Sequence, residues 1–198
     1  MTFSACTLSE TNLRKVMANP SLIFQVVFQD DPELHAEALR AAQPRSGFLA
    51  RVFGMGSKTP AASPANLGLA PDEVVEIDLD KAWHGIHYLL TGDHDIGEPP
   101  LNFILGGTQV GDVEVALGPA RAFSAEEVRE IDDALRPVSA QVLASRFDGQ
   151  RMYELEIYPM TGVWTKDDLE YIVHYFESFK AFVAQAASRG MALIVYHS

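Results

Sequence analysis

The N-terminal apolar positions predict a strand followed by a helix. Residues 3–8 are short and half apolar, which is typical of a first strand. Ser9 has the side chain to cap a helix that continues to about Met17, where Asn19-Pro20 breaks it. The strongly apolar segment 21–29 fits either a strand or a buried helical turn, because periodicity does not separate the two at this length.

Two further helices are predicted before the middle of the chain. Asp31-Pro32 is typical of a helix start, since proline suits the first helical position, and residues 33–42 continue that helix. A second helix spans residues 80–90 and ends at Gly92, where a left-handed residue is favoured. Its buried stripe consists of apolar residues at spacings of three and four: Leu79, Trp83, Ile86 and Leu90.

The C-terminal half contains two capping boxes. Ser124 and Glu127 have the required spacing and predict a helix over residues 125–135. Thr165 and Asp168 have the same spacing and begin a long helix from Lys166 to Arg189, with a broad apolar arc. The apolar segment 191–196 then predicts a buried final strand.

The remaining patterns complete the predicted fold. Residues 101–105 are strand-like, and the alternation over residues 152–158 predicts a half-buried strand that ends at Pro159. Helices outnumber strands and do not alternate with them strictly. We therefore predict an α+β fold, in which helices cover a small mixed sheet and a long C-terminal helix precedes the final strand. The prediction is a single domain over residues 1–198, with a mobile loop at 44–68.

Charge narrows the range of partners. The 198 residues include 15 Lys and Arg and 27 Asp and Glu, so the formal net charge is −12. This field repels phosphate, and we predict no nucleic-acid binding although residues 38–71 lack acids and contain Arg40, Arg45, Arg51 and Lys58. A basic protein partner is electrostatically favoured. The composition does not predict an oligomeric state.

Apolar run length and cysteine content indicate the compartment. No apolar run approaches the ~20 residues that cross a bilayer, and the chain opens without a secretory pattern. The single cysteine, Cys6, excludes an internal disulfide and fits a reducing environment. We predict a cytoplasmic protein without membrane contact.

Histidines and acids around the middle helix suggest, but do not require, a metal site. Asp80, His84 and His87 lie on one face, and residues 93–95 (Asp-His-Asp) follow the helix. Divalent metals favour such ligands, yet the spacing is not that of a His-Glu-x-x-His motif. In the alternative interpretation His84 is solvated, His87 is a buried histidine bonded to backbone, and His94 is exposed. We predict no bound metal.

No catalytic signature accompanies the other reactive residues. Cys6 lacks a recognisable nucleophile motif and fits a small buried hydrophobe, and the serine-hydrolase elbow is absent. The glycines at residues 106–118 match neither dinucleotide nor phosphate loops and fit turns better. We predict no catalytic residue and no cofactor.

Arg121 and Glu156 form the most informative polar pair. With the aromatic residues nearby in the predicted fold they suggest a small-ligand cleft, whose residues are Trp83, His87, Arg121, Glu156, Tyr158 and Trp164. A structural salt bridge among buried aromatics explains the same pair and is the preferred interpretation. Both alternatives remain at this point.

Three segments resemble a known family. They are residues 79–92 (LDKAWHGIHYLLTG), residues 118–121 (GPAR) and residues 156–159 (EIYP) with Trp164. Together they resemble the bacterial YfbM-like family, catalogued as domain of unknown function 1877. The resemblance covers most of the chain and implies an α+β cytoplasmic bacterial protein, without implying an activity or a catalytic residue.

The predicted function combines these observations. The leading hypothesis is a non-enzymatic, acidic binding or protein-interaction module. The alternative is a small-ligand-binding protein, or an enzyme, that uses a cleft around Arg121, Glu156 and Trp83.

Overall fold

The computed structural model describes residues 1–29, 33, 66–159 and 161–198. The helix predicted over residues 33–42 and most of the loop predicted at residues 44–68 lie outside this described part.

Five strands form one sheet in the order β2-β1-β5-β4-β3. Their bounds are β1 (Phe3–Ser9), β2 (Glu76–Asp78), β3 (Thr108–Glu114), β4 (Pro119–Phe123) and β5 (Met191–His197). The last strand lies at the centre and pairs with β1 along its whole length. All four pairings between these strands are antiparallel, so the mixed sheet was a wrong expectation for this part of the chain.

Seven α-helices surround the sheet in the described part. They are α1 (Glu10–Ala18), α2 (Phe24–Val27), α3 (Trp83–Thr91), α4 (Ala125–Leu135), α5 (Ala140–Arg146), α6 (Gly149–Glu154) and α7 (Lys166–Ser188). Short 3-10 turns precede α2 and α3, at Pro20–Ile23 and Asp80–Ala82. The segment 21–29 is therefore largely helical. The α+β class and the long helix before the final strand are confirmed.

Local capping explains where several helices begin. The Ser9 hydroxyl accepts the backbone N–H of Asn12, and capping boxes form at Ser124 and Thr165 as predicted. Gly92 ends α3 in the left-handed conformation at φ 75°, which glycine adopts without steric cost.

The two sheet faces bury separate cores. Phe3 and Val195 point toward α3, α4 and α7 and join the larger core. Side chains alternate along each strand, so Cys6 on β1 and Ile194 on β5 point to the opposite face, where they pack with α1 and α2. Because β1 and β5 are buried on both faces, they read as nearly continuous apolar runs.

Two predicted strands have other conformations. Residues 101–105 form turns, in which Phe103 and Ile104 enter the larger core without a strand partner. Residues 152–158 hold the end of α6 and a turn, because the Asp148 carboxylate caps a helix by accepting the N–H of Arg151. In residues 101–105, burial of Phe103 and Ile104 against distant elements overrides the local apolar pattern.

Candidate functional site

Helix α3 presents two polar aromatic side chains to the sheet. Trp83 and His87 lie one turn apart, and a spacing of four residues places them on the same helix face. Trp83 is 4% exposed and His87 is fully buried. The indole ring of Trp83 stacks on Tyr158, at 5.8 Å between ring centroids, and meets the ring of His197 edge-on at 4.8 Å.

The sheet supplies an arginine and a histidine opposite this face. Arg121 on β4 lies across from Val195 on β5, and His197 follows two residues later on the same face. Diagonal neighbours of this kind lie about 7–8 Å apart along the sheet. The terminal nitrogens of Arg121 donate to the carbonyls of Ile104 and Leu105, at 2.6 and 3.1 Å.

His84 holds two covering segments in place. Its Nδ1 accepts the backbone N–H of Tyr158 at 2.9 Å, so the ring proton must reside on Nε2, which donates to the carbonyl of His94 at 2.9 Å. His87 similarly bonds through Nε2 to the carbonyl of Asp95. The two histidines thereby fix the 92–97 loop and the segment at Tyr158 to α3.

Burial controls the charge state of the site. It lowers the pKa of His84 and His87, and it lowers the pKa of His197 to about 4, with the positive charge of Arg121 as the next cause for His197. Burial also lowers the pKa of Arg121. At neutral pH these three imidazoles are therefore uncharged, and two of them, His87 and His197, lie near enough to the Arg121 guanidinium for its charge to lower their pKa.

Four buried polar atoms in this region lack a hydrogen-bond partner. They are Trp83 Nε1, His87 Nδ1, Arg121 Nε and His197 Nε2. We call these four residues the α3–sheet cluster. A fifth such atom among the described residues, Trp164 Nε1, lies at the side of α3 that faces Ile172. None of the ion pairs among the described residues includes Arg121, so its charge has no carboxylate partner there. Buried polar groups in native proteins are generally paired, so this concentration is unusual.

Comparison with known proteins defines the family but not an activity. The family described as "Domain of unknown function (DUF1877)" matches residues 1–196. The chain belongs to the DUF1877 family. A solved structure titled as a protein of unknown function, YfbM from Escherichia coli, has a similar fold at 15% identity and a TM-score of 0.62, covering 98% of each chain. No curated protein matches the chain.

In this DUF1877 chain the predicted ligand residues divide into two groups. Trp83, His87 and Arg121 come together, and Tyr158 stacks on Trp83. Trp164 instead packs near Gly85, at the side of α3 that faces Ile172 on α7. His197 was missed, because only the pairing of β4 with β5 places it beside Arg121.

The expected ion pair between Arg121 and Glu156 is wrong. Glu156 lies in the turn after α6, is exposed, and has the left-handed φ of 55°. Its pairing depended on a strand over residues 152–158, which the fold replaces with α6 and a turn. Arg121 is held by backbone carbonyls instead.

The candidate metal ligands beyond α3 do not include the two histidines of the helix. Asp93, His94 and Asp95 are exposed, and their ligand atoms lie within 4.8 Å of one another. The Nε2 atoms of His84 and His87 bond to backbone carbonyls of this loop and do not join the group. The buried His87 and the exposed His94 are confirmed, whereas a solvated His84 is wrong because both of its nitrogens are bonded.

Cys6 lies away from this region, on the other sheet face. It is 1% exposed, and burial raises the pKa of its thiol, which disfavours the reactive thiolate. Among the described residues, no helix combines the length and apolar character that crossing a membrane requires.

Proposed function

We propose that this chain is a non-catalytic binding protein whose small ligand occupies the α3–sheet cluster. The observation that carries the proposal is the set of unpaired buried atoms on Trp83, His87, Arg121 and His197. An unsatisfied buried donor or acceptor costs about 1–3 kcal/mol, so a ligand that pairs several of them gains binding energy.

Two covering segments control access to the α3–sheet cluster. All four atoms are sealed from solvent, so a ligand enters when the Tyr158 segment or the 92–97 loop moves. Neither segment pairs with the sheet. The Tyr158 segment is held by hydrogen bonds to His84 and to the N-terminal amine. The 92–97 loop is held by side-chain hydrogen bonds from His84, His87 and Asn102. Opening therefore breaks few bonds and leaves the sheet intact.

The local hydrogen bonds favour binding over catalysis. Both nitrogens of His84 contact backbone, so this ring has none free to exchange a proton with a reactant. His87 and His197 have an unpaired nitrogen each, but burial lowers the pKa of both rings and makes them weak bases. Cys6 is buried with a raised pKa. The uncharged histidines and the Arg121 guanidinium instead provide a buried surface for recognition.

A small-molecule panel tests this function. Neutral, cationic and anionic metabolites are screened by thermal unfolding of the wild-type chain. We expect some of them to raise its unfolding temperature. Trp83→Phe retains an aromatic ring but removes the Nε1–H donor, so the stabilisation by these compounds should fall. Trp164→Phe removes the other buried, unpaired indole N–H, which lies outside the cluster near Gly85, and should retain the stabilisation. A panel without stabilising compounds, or equal stabilisation of Trp83→Phe, would contradict the proposal.

A specific surface feature supports protein interaction as a second candidate function. Ile96 is 63% exposed within the loop that His84 and His87 fix, and exposed acids surround it in sequence: Asp93, Asp95 and Glu98. A preordered loop loses less entropy on binding, and a basic protein with an apolar contact complements this charge. The cytoplasmic location and the absence of nucleic-acid binding stay predictions.

Site-specific photo-crosslinking tests the second candidate. A photoreactive amino acid at position 96 should give a protein adduct in cells that added polylysine competes away in the extract. The same amino acid at position 117 is a matched control, since Leu117 is 62% exposed. Identical adducts from both positions would contradict a specific surface at Ile96.

A further inference from the structure

We infer that the α3–sheet cluster binds a small oxyanion that carries at least one hydroxyl group, such as a hydroxycarboxylate or hydrogen phosphate. This inference rests on the proposed function and specifies the chemistry of its ligand. It follows from which of the unpaired atoms donate, which accept, and where the charge lies.

Two members of the cluster require an acceptor. Trp83 Nε1–H and Arg121 Nε–H are donors only, and both are buried without a partner. Arg121 also brings a positive charge that no described carboxylate neutralises. Hydrogen bonds between a guanidinium and an oxyanion are charge-assisted and stronger than neutral ones, so an anionic oxygen is the complementary group.

His87 requires a donor. Its Nε2 bonds to the carbonyl of Asp95, which only accepts, so the ring proton resides on Nε2. Burial lowers the pKa of the ring and keeps it neutral, so the unpaired Nδ1 presents a lone pair. A hydroxyl on the ligand satisfies this lone pair, whereas chloride or acetate has no proton to offer.

The fold places the four side chains on a helix face and on the sheet that it covers. Trp83 and His87 share one face of α3, while Arg121 and His197 are diagonal neighbours on the sheet beneath. The rings of Trp83 and His197 are 4.8 Å apart, which joins the helix face to the sheet patch. The neutral His197 can donate or accept through Nε2, so it adapts to either ligand oxygen.

The two tryptophans make a direct test possible in the intact chain. The indole N–H of Trp83 gives one of two NMR signals of this kind, and Trp164→Phe assigns them. At constant ionic strength, sodium glycolate or sodium phosphate should move the Trp83 signal saturably and leave the Trp164 signal in place. Sodium acetate should bind at least about tenfold more weakly, as expected for loss of one buried hydrogen bond, and sodium chloride should have no effect.

Arg121→Lys retains the charge but removes the Nε–H, and we expect glycolate or phosphate affinity to fall about tenfold. Arg129→Lys is the matched control, because Arg129 is exposed on α4. The wild-type titration tests the inference even if Arg121→Lys does not fold.

The outcomes separate this inference from the proposed function. Equal shifts with acetate or chloride, or no shift with either hydroxylated oxyanion, would overturn the inference. If a neutral compound from the panel moves the Trp83 signal while the oxyanions do not, the ligand class is wrong and the binding function stands. If no compound moves it, both are wrong.

Discussion

The Nδ1 atom of His84 accepts the backbone N–H of Tyr158 at 2.9 Å, and this bond ties the turn after α6 to α3. The opposite ring nitrogen donates to the carbonyl of His94, so one neutral imidazole joins three segments. The same ring stacks on Trp83, with centroids 4.8 Å apart. His84 thereby positions the cover of the α3–sheet cluster.

Replacing His84 with phenylalanine should destabilise the protein. Phenylalanine retains a ring to stack on Trp83 but loses both hydrogen bonds, leaving the Tyr158 N–H and the His94 carbonyl without partners. We expect the free energy of unfolding to fall by about 1–3 kcal/mol, measured by urea denaturation. The matched control is His174→Phe, since His174 is exposed on α7 and should change stability little. Equal effects of the two substitutions would argue against the bridging role.

Gly85 is required for the close approach of α3 to α7. A Cβ atom at this position would lie 2.5 Å from Cδ1 of Ile172. Gly85→Ala should therefore destabilise the fold by about 1–3 kcal/mol through overpacking, although alanine normally favours a helix.

A double mutant identifies the contact responsible. Ile172→Val removes Cδ1 and by itself should cost about 0.5–1.5 kcal/mol. Combined with Gly85→Ala, it should cost less than the sum of the single changes, by at least about 0.5 kcal/mol. Additive effects in denaturant unfolding would show that another contact limits the helix separation.

Stability should decrease in mild acid. Burial lowers the pKa of His197 to about 4 from its ordinary value of 6.5, so the unfolded chain takes up this proton first as the pH falls. The stabilisation is fully present above pH 6.5 and is lost as the pH falls toward 4. The lowered pKa values of His84 and His87 act in the same direction.

A variant series separates the contribution of His197. His197→Phe retains ring contacts with Phe3 and Trp83 and should flatten the dependence of the unfolding free energy on pH in this window. His174→Gln, which replaces an exposed histidine on α7, is the matched control. A His197→Phe slope equal to that of the wild type would disprove the assignment.

Cys6 should be inert toward thiol reagents in the native state. The side chain is 1% exposed between β1 and the smaller core, and burial raises its pKa. The rate of labelling with Ellman's reagent should be limited by unfolding, and labelling should be immediate in concentrated guanidinium chloride. Rapid labelling without denaturant would contradict this burial.

The sequence determined the elements whose signals are local. The hydroxyl and carboxylate groups that cap α4 and α7 lie within three residues of each other, and Gly92 ends α3 beside the residues it follows. The stripe containing Trp83 and Ile86 identified the buried face of α3 in the same way. These interactions form within one or two helical turns, so their spacing is visible in the chain.

Tertiary structure decided the sheet order and one of the two misassigned strands. The apolar segments 101–105 and 152–158 have a pattern that a strand also shows. Asp148 caps a helix at the start of the second segment, whereas contacts with distant elements decide the conformation of the first. Phe103 stacks on Phe179 of α7, and the carbonyl of Ile104 accepts from Arg121. These partners lie far along the chain, and no local spacing encodes them.

The α3–sheet cluster also has one part that the sequence determines and one part that depends on the tertiary structure. By itself, the sequence determined that Trp83 and His87 share a helix face, since the helical repeat fixes that relationship. Only the antiparallel register of β4 and β5 brought Arg121 beside His197. Glu156 lies in a solvent-exposed turn because α6 replaces the predicted strand. The physical reason is that strand register depends on pairing between remote segments, whereas side-chain positions on a helix follow from the backbone geometry of the helix alone.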